Sequence, residues 1–321
     1  MQISVIIPTY NRSHLLLQAL KSLQEQTLKS FELLVVDNAA DLKIESMVAD
    51  FNQTAKVLVK YVSEPQLGLH NARHAGANAA KGDVLVFTDD DATFDANWLL
   101  SYAQAFSEHP EMVAAGGPVR PVWEAPPPQW LLEYMGDSKM FTILSLMEPY
   151  AEFRLDPQGF FFGVNMAIRR DVLFKMGGFN PESFGDIWLG DGESGLNRKL
   201  WKDNLLVGYV PDAIVHHHIP PSRMTVDYFC RRVANEGACD MYSYYHKAIP
   251  NRLHLLTHVV QIAVKNKFWL KSLLTQKRNA PSALDIKLNA ARSQSQIKYI
   301  FRLIFDRDFQ KLVLRQNWLC N

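Results

Sequence analysis

Val84-Leu85-Val86-Phe87-Thr88 runs directly into Asp89-Asp90-Asp91, and this stretch restricts the fold more than any other. An apolar, β-branched run without polar alternation reads as a strand buried on both faces. Three carboxylates at its carboxyl end then lie in the crevice beyond the strand ends, where open α/β sheets take their ligands. Three adjacent like charges repel unless a cation shares the site. A hard divalent cation, Mg2+ or Mn2+, with phosphate oxygens completing its shell, suits such oxygen donors. The competing reading is an acidic turn in which Asp90 or Asp91 caps a helix beginning at Ala92-Thr93-Phe94-Asp95.

The residues around this stretch favour a nucleotide-type site. Ile3 to Pro8 reads as a first buried strand, followed by the polar loop Thr9-Tyr10-Asn11-Arg12 and a helix capped by Ser13 with Leu16, Leu17, Leu20 and Leu23 on one face. Phe31 to Val36 is a second strand ending at Asp37-Asn38, and Val57 to Val62 a third. Gly68-Leu69-His70-Asn71-Ala72-Arg73 opens an alanine-rich helix closed by Gly82. Repeated strand–helix alternation implies βαβ units and a largely parallel sheet.

Beyond Asp91, Trp98 to Phe106 reads as helix and Val113 to Gly117 as strand. Residues 118–130, with Pro118, Pro121 and Pro126-Pro127-Pro128, read as an ordered surface loop whose Trp123 and Trp130 need burial or a ligand. Gly159 to Ile168 reads as a strand with close backbone or ligand approach at its glycines. Asp171 caps a short helix ending at Gly177-Gly178. Asp191-Gly192-Glu193 opens another helix with Leu196 and Leu200 inward, and Leu206 to Val210 is a last strand before Ile214-Val215-His216-His217-His218. From Val226 long helical patterns take over. In Leu253 to Leu274, His254, His258, Gln261 and Lys265 oppose Leu256, Val260 and Ala263, with Lys267 and Lys271 nearby; this amphipathic helix packs on the core or lies on a membrane surface.

Charge and composition exclude several classes. A formal net charge of +1 argues against a nucleic-acid binder. Cys230, Cys239 and Cys320 have no metal-ligand spacing, so they read as core residues or bystanders in a reducing compartment. Met1-Gln2 leads straight into a strand pattern, so no secretory signal is expected, and no apolar run reaches the length of a membrane span. No Gly-x-Gly-x-x-Gly or P-loop pattern appears, which disfavours an oxidoreductase. Polar clusters at the ends of several strands instead fit an anionic ligand held by a metal and by arginines.

SVIIPTYNR, VVDNA, GLHNARHAGANAAKGDVLVFTDDDA, GVNMAIRR and GDGESGL, in this order, resemble a family 2 inverting glycosyltransferase of the GT-A fold. The resemblance runs from Ile3 to about Gly237. It implies an α/β fold of GT-A type, with a mostly parallel sheet flanked by helices over residues 1–225 and a helical extension over 226–321. It also implies a nucleotide-diphosphate sugar donor, Mg2+ or Mn2+, inversion at the anomeric carbon, and a glycan or lipid-linked acceptor in polysaccharide assembly. The location implied is cytoplasmic, with possible membrane contact through the C-terminal helices.

Residue by residue, the resemblance puts Thr9, Tyr10 and Arg12 along the nucleotide, with Pro8 shaping that loop. It puts Asp37 on the base, Arg73 on base or phosphate, and Asn71 beside them. Asp89 takes the ribose or metal side, Asp91 the metal, and Asp90 the variable middle position. Glu193 stands at the position of the catalytic base, with Asp191 as its competitor and Gly192 where the family has glutamate. Spacing from Arg223 favours His217 over His216 and His218 as the metal-touching histidine, and side chains alternate in an extended segment, so the three cannot share one site. Arg231 and Arg232 resemble a diphosphate-binding pair. Gly163-Val164-Asn165 resembles the segment near the sugars, and Trp123, Trp130 and Trp188 could stack on a sugar face. Two rivals are a sugar-nucleotide nucleotidyltransferase, which wants a glycine- and arginine-rich loop where PTYNR stands, and a non-catalytic sugar-nucleotide-binding protein, favoured only by Ser194.

Overall fold

Every residue of β1 (Ile3–Thr9) is buried, as an uninterrupted β-branched run requires. In the computed structural model, which describes residues 1–39, 42–184, 187–274, 283–315 and 317–319, β1 lies inside an eight-stranded sheet. The chain forms two units: Met1–Pro181, Gly192–Pro220 and Asn317–Asn321 make one, Glu182–Asp191 and Pro221–Gln316 the other.

In the first unit α1 (Ser13–Gln24), β2 (Phe31–Asp37), α2 (Leu42–Asn52), β3 (Val59–Ser63), α3 (Leu69–Ala79) and β4 (Val84–Phe87) follow β1. The four strands are parallel in the order β4-β1-β2-β3. Pro8 is tolerated in this interior strand because its nitrogen faces β4, whose pairing with β1 stops at Ile6. α1 begins at Ser13, but Arg12 occupies the cap position without a side-chain cap bond, so Ser13 is helical and not the cap. α3 ends at Ala79, three residues before Gly82. Gly82 serves the sheet instead: a Cβ there would lie 2.7 Å from the Ser4 backbone nitrogen.

After the triple aspartate the chain enters β5 (Ala92–Phe94), not a helix. α4 (Trp98–Glu108), β6 (Met112–Gly116), β7 (Val119–Trp123) and α5 (Gln129–Met135) come next. Residues 118–130 are therefore more regular than their prolines predict. Pro121 fits within β7 because its nitrogen points toward β9 (Leu146–Met147), which pairs with β7 only at Val119. β8 (Met140–Phe141) precedes β9, and β10 (Arg154–Asp156) and β11 (Met166–Arg169) follow it. The strand expected over Gly159–Ile168 is reduced to β11. Residues before it run as irregular chain, since Gly159 and Gly163 pack too closely on Val207 and Arg73 for side chains of their own. α6 (Arg170–Lys175) starts with Arg169 at the cap, so Asp171 lies in its first turn and does not cap it.

β12 (Ser183–Phe184) and β13 (Ile187–Trp188) pair antiparallel in the second unit. α7 (Gly192–Lys202), β14 (Leu206–Tyr209) and β15 (Val215–Ile219) return to the first. The main sheet has the order β10-β14-β6-β11-β4-β1-β2-β3, parallel except at β11 and β10. A smaller sheet, β5-β15-β7-β9-β8, was not anticipated. Three of its strands, β5, β8 and β9, are two or three residues long, too short to announce themselves by periodicity. The triple aspartate joins β4 of one sheet to β5 of the other.

α8 (Val226–Ala248), α9 (Arg252–Leu274), α10 (Ala283–Phe305) and α11 (Arg307–Val313) complete the second unit. α9 packs through Leu255 and Ile262, whereas Leu256 and Val260, on the apolar face read from the sequence, are exposed and do not pack on the core. Cys230 and Cys239 are free thiols, while Cys320 and the side chains of Lys267 and Lys271 lie outside the described residues.

Candidate active site

Two guanidinium–carboxylate clusters stand at the carboxyl ends of β1 and β4. In the first, the Thr9 hydroxyl donates to Asp90 Oδ2 at 2.7 Å. Arg12 reaches Asp90 Oδ1 at 2.7 Å and Asp91 Oδ2 at 3.1 Å. Asn11, with φ of 56°, turns the backbone so that Thr9 and Arg12 face the same aspartate. Asp90 is wholly buried, and both its oxygens are engaged within the protein. Expected among the donor-facing residues, it instead anchors the β1 loop to the β4 end. Burial pushes its carboxyl up to about 7, against the pull of Arg12, with Asp91 adding to the rise.

The second cluster centres on Arg73, whose side chain is only 2% exposed. It reaches Asp89 Oδ1 at 3.5 Å and Glu193 Oε2 at 3.3 Å, with its guanidinium 5.3 Å from the Phe179 ring centroid. α3 can carry an arginine this deep because Gly76, one turn on, lets the helix close onto Ile6 and Val36. Gly163 leaves the space that the guanidinium fills, since a Cβ there would meet Arg73. The close approach expected at that glycine is therefore made by a side chain. Burial raises the Asp89 carboxyl above the usual range, with Arg73 and His217 opposing and Asp91 and Glu193 adding to the rise.

β15 sorts the three histidines by alternation. His217 is buried, with Nδ1 3.0 Å from the Leu144 carbonyl and Nε2 3.5 Å from Asp91 Oδ1. His216 instead pairs with Asp95 at 2.7 Å, and His218 lies 3.2 Å from the Thr93 hydroxyl. A carbonyl only accepts, so Nδ1 of His217 carries a proton, and Nε2 faces the Asp91 carboxylate. Those two groups repel unless a proton or a cation lies between them, which is what a metal-ligand pair requires. Among the described residues, no three His, Cys, Asp or Glu side chains form a ready-made metal cage. Mg2+ and Mn2+ do not need one, since one or two carboxylates with phosphate and water suffice. The donor set fits such an ion.

Residues 4–177 match the family described as glycosyl transferase family 2. The chain belongs to that family. It is 26% identical over 185 residues to a glucosyl-dolichyl phosphate glucuronosyltransferase of Haloferax volcanii, covering 57% of each chain. It is 29% identical over 210 residues to a validoxylamine A glucosyltransferase of Streptomyces hygroscopicus, covering 59% of this chain and 49% of that one. The chain thus spans about half the length of these relatives. A mannosyltransferase from Pyrobaculum calidifontis, solved with GDP-Man and Mn2+, shares the fold at a TM-score of 0.56, with 19% identity over 92% of this chain and 86% of that one. The fold is that of GT-A glycosyltransferases.

Other residues of this family 2 chain fall into place around the two clusters. Asp37 is buried at the end of β2, accepting from the Tyr61 hydroxyl at 3.0 Å and the Ala39 N–H at 2.9 Å. Burial and Asp37 together push the Tyr61 hydroxyl up to about 12. Asn71 donates to the Leu67 carbonyl at 3.0 Å, and Tyr10 is about half exposed. Asn165, expected near the sugars, is fully buried. It accepts from Trp98 Nε1 and the Tyr102 hydroxyl and donates to the Pro118 and Ala213 carbonyls, so it ties α4 to the β6–β7 link and to the segment between β14 and β15. That network and the Arg73–Gly163 fit went unseen in the sequence, because neither has a local signature. Trp123 and Trp130 are half-buried.

Asp191 and Arg231 belong to the helical unit. Arg231 is exposed on α8, its guanidinium 5.9 Å from the Tyr228 ring centroid. α8 and α10 grip the segment that ends at Asp191. Trp188 Nε1 donates to Cys239 Sγ at 3.1 Å, Cys239 to the Gly190 carbonyl at 3.2 Å, Ser243 to Asp191 Oδ2 at 3.2 Å and Tyr299 to the Leu189 carbonyl at 2.6 Å. Glu193 lies two residues further, in the first turn of α7.

Proposed function

We propose that this chain is a metal-dependent inverting glycosyltransferase, moving a sugar from a nucleotide-diphosphate donor to a hydroxyl of a glycan or lipid-linked glycan in polysaccharide assembly. The observation that carries the reading is the grouping of Asp89, Arg73 and Glu193 beside Asp91 and His217 at the strand ends. Nucleotide-sugar chemistry needs cationic neutralisation of a leaving diphosphate and a carboxylate base across from it. Asp91, Asp89 and His217 would hold Mg2+ or Mn2+, which when bound neutralises charge on the diphosphate.

Arg12, 39% exposed, can turn from Asp91 toward a phosphate while Thr9 keeps Asp90 in place. Tyr10 lies on the same loop, shaped by Pro8, and with Asp37 and Asn71 serves the nucleoside. Arg73 holds Glu193 with its carboxylate 20% exposed, oriented to take the acceptor hydroxyl's proton as that oxygen attacks the anomeric carbon. Asp191 is the alternative base, and Arg231 is assigned to the diphosphate. The enzyme is assigned to the cytoplasmic side, soluble or peripheral on a membrane.

A panel of nucleotide sugars, each with Mg2+, Mn2+ or chelator, scored for binding and slow donor hydrolysis, tests this without an acceptor. The expected result is metal-dependent binding and hydrolysis of one donor, with hydrolysis falling about 10²–10⁴-fold in Glu193→Gln while binding is kept. Normal hydrolysis in Glu193→Gln with loss in Asp191→Asn would move the base to Asp191. Binding without turnover would leave a sugar-nucleotide-binding protein, and no binding at all would overturn the reading.

A further inference from the structure

α9 is apolar on two opposite sides. Its inner side is marked by Leu255 and Ile262, both buried, by His258 stacked on Tyr244 at 4.7 Å, and by Asn266 bonded to Ser293 at 3.3 Å. Leu253, Leu256, Val260 and Val264 recur three and four residues apart and are 68%, 43%, 61% and 48% exposed. At about 100° per residue the two sets lie roughly 160° apart around the helix axis. Packing on α8 and α10 therefore accounts for one set and leaves the other facing outward. Ile249, in the α8–α9 turn, is a further exposed apolar side chain, 66% exposed.

Charge narrows what such a stripe would meet. The whole chain carries 34 Lys and Arg against 33 Asp and Glu. Residues 241–284 break that balance, with Lys247, Arg252, Lys265, Lys267, Lys271, Lys277 and Arg278 and no acidic residue. Lys247, Arg252 and Lys265 are exposed, the first two flanking Ile249 and Leu253. An outward apolar stripe in a purely cationic segment matches the interface of an anionic bilayer, where apolar side chains enter the acyl boundary and cations meet phosphate headgroups. No helix among the described residues is long and apolar enough to cross a membrane, so the contact is one of lying on the surface.

We propose that the outward face of α9, with the α8–α9 turn, docks this protein on an anionic phospholipid surface. The proposal stands apart from the assignment of the reaction, because it uses none of the residues of the two carboxylate clusters.

Co-sedimentation of the full chain with vesicles of phosphatidylcholine alone, or with a third of phosphatidylglycerol, tests it. Binding to the anionic vesicles is expected to exceed binding to the neutral ones by about fivefold or more and to weaken in high salt. Leu256→Glu with Val260→Glu is expected to lower it at least about tenfold, while Gln261→Glu, which adds a charge on the polar side, changes it less than about twofold. Unchanged helicity by circular dichroism shows that the variants fold, and Leu253→Glu repeats the test elsewhere on the stripe. Equal binding to neutral vesicles, no binding to anionic ones, or equal loss in Gln261→Glu overturns the proposal. A concentration-dependent dimer abolished by Leu256→Glu with Val260→Glu overturns it in favour of a second copy. Donor hydrolysis measured without vesicles keeps its outcome separate from that of the reaction.

Discussion

Arg12 and Arg73 each hold two carboxylates, but their burial is inverted. Arg12 is 39% exposed and its partner Asp90 is wholly buried, whereas Arg73 is 2% exposed and its partners Asp89 and Glu193 are 28% and 20% exposed. In the first cluster the anion belongs to the fold and the cation can leave it. In the second the cation belongs to the fold and the anions face outward. Under the proposed function, a ligand phosphate would compete for Arg12 at small cost, while Arg73 would be a fixed post that orients its two carboxylates.

The sharpest way to break this contrast is Arg73→Met. Removing a buried cation from two carboxylates is expected to destabilise the fold by about 3–5 kcal/mol, read as a lower urea midpoint at unchanged slope. Gly163→Ala should come next. Its methyl would push on the Arg73 guanidinium, costing about 1–3 kcal/mol if the arginine stays and misplacing Glu193 if it moves. Donor hydrolysis compared with thermal midpoint separates these outcomes, and activity is expected to fall more than stability.

His74 sharpens the comparison from beneath Arg73 on the same helix. Its Nε2 accepts from the Phe179 N–H at 2.9 Å, and burial, with the charges of His70 and Lys199, lowers it to about 3. The folded ring thus stays neutral while the unfolded ring protonates near 6.5. Stability from this residue is full above pH 6.5 and declines by up to about 1.4 kcal/mol per unit as pH falls toward 3. His74→Leu, followed by urea unfolding between pH 7 and 4, should be less stable at pH 7 and lose less on acidification than wild type. Equal pH slopes would show that His74 is not the group responsible.

The smallest stability effect is expected at Arg12. With its side chain partly in solvent, Arg12→Ala should cost about 1 kcal/mol or less, while weakening nucleotide-sugar binding. A loss as large as that of Arg73→Met would erase the contrast between the two clusters.

Much of the first ninety residues was legible in advance, because β1, β2 and β4 are predominantly apolar and buried and α1 and α3 carry a regular inner face. The small sheet was not, since β5, β8 and β9 are two or three residues long and gain their geometry only from the partners they meet. Alternation along β15 could be foreseen, and it leaves a single histidine, His217, on the buried side beside Asp91. Asp90 and Asn165 escaped, because a polar residue in sequence looks the same whether it faces a ligand or the protein.

By itself, then, the sequence determined which strands are buried, that carboxylates end β4, and which family the chain joins, because hydrophobic period and motif order are local properties. Only the tertiary structure decided which charges pair and which of them face outward. Arg73 meets Glu193 across 120 residues, through packing at Gly76 and Gly163 that no local pattern encodes, and Arg12 meets Asp91 across 79.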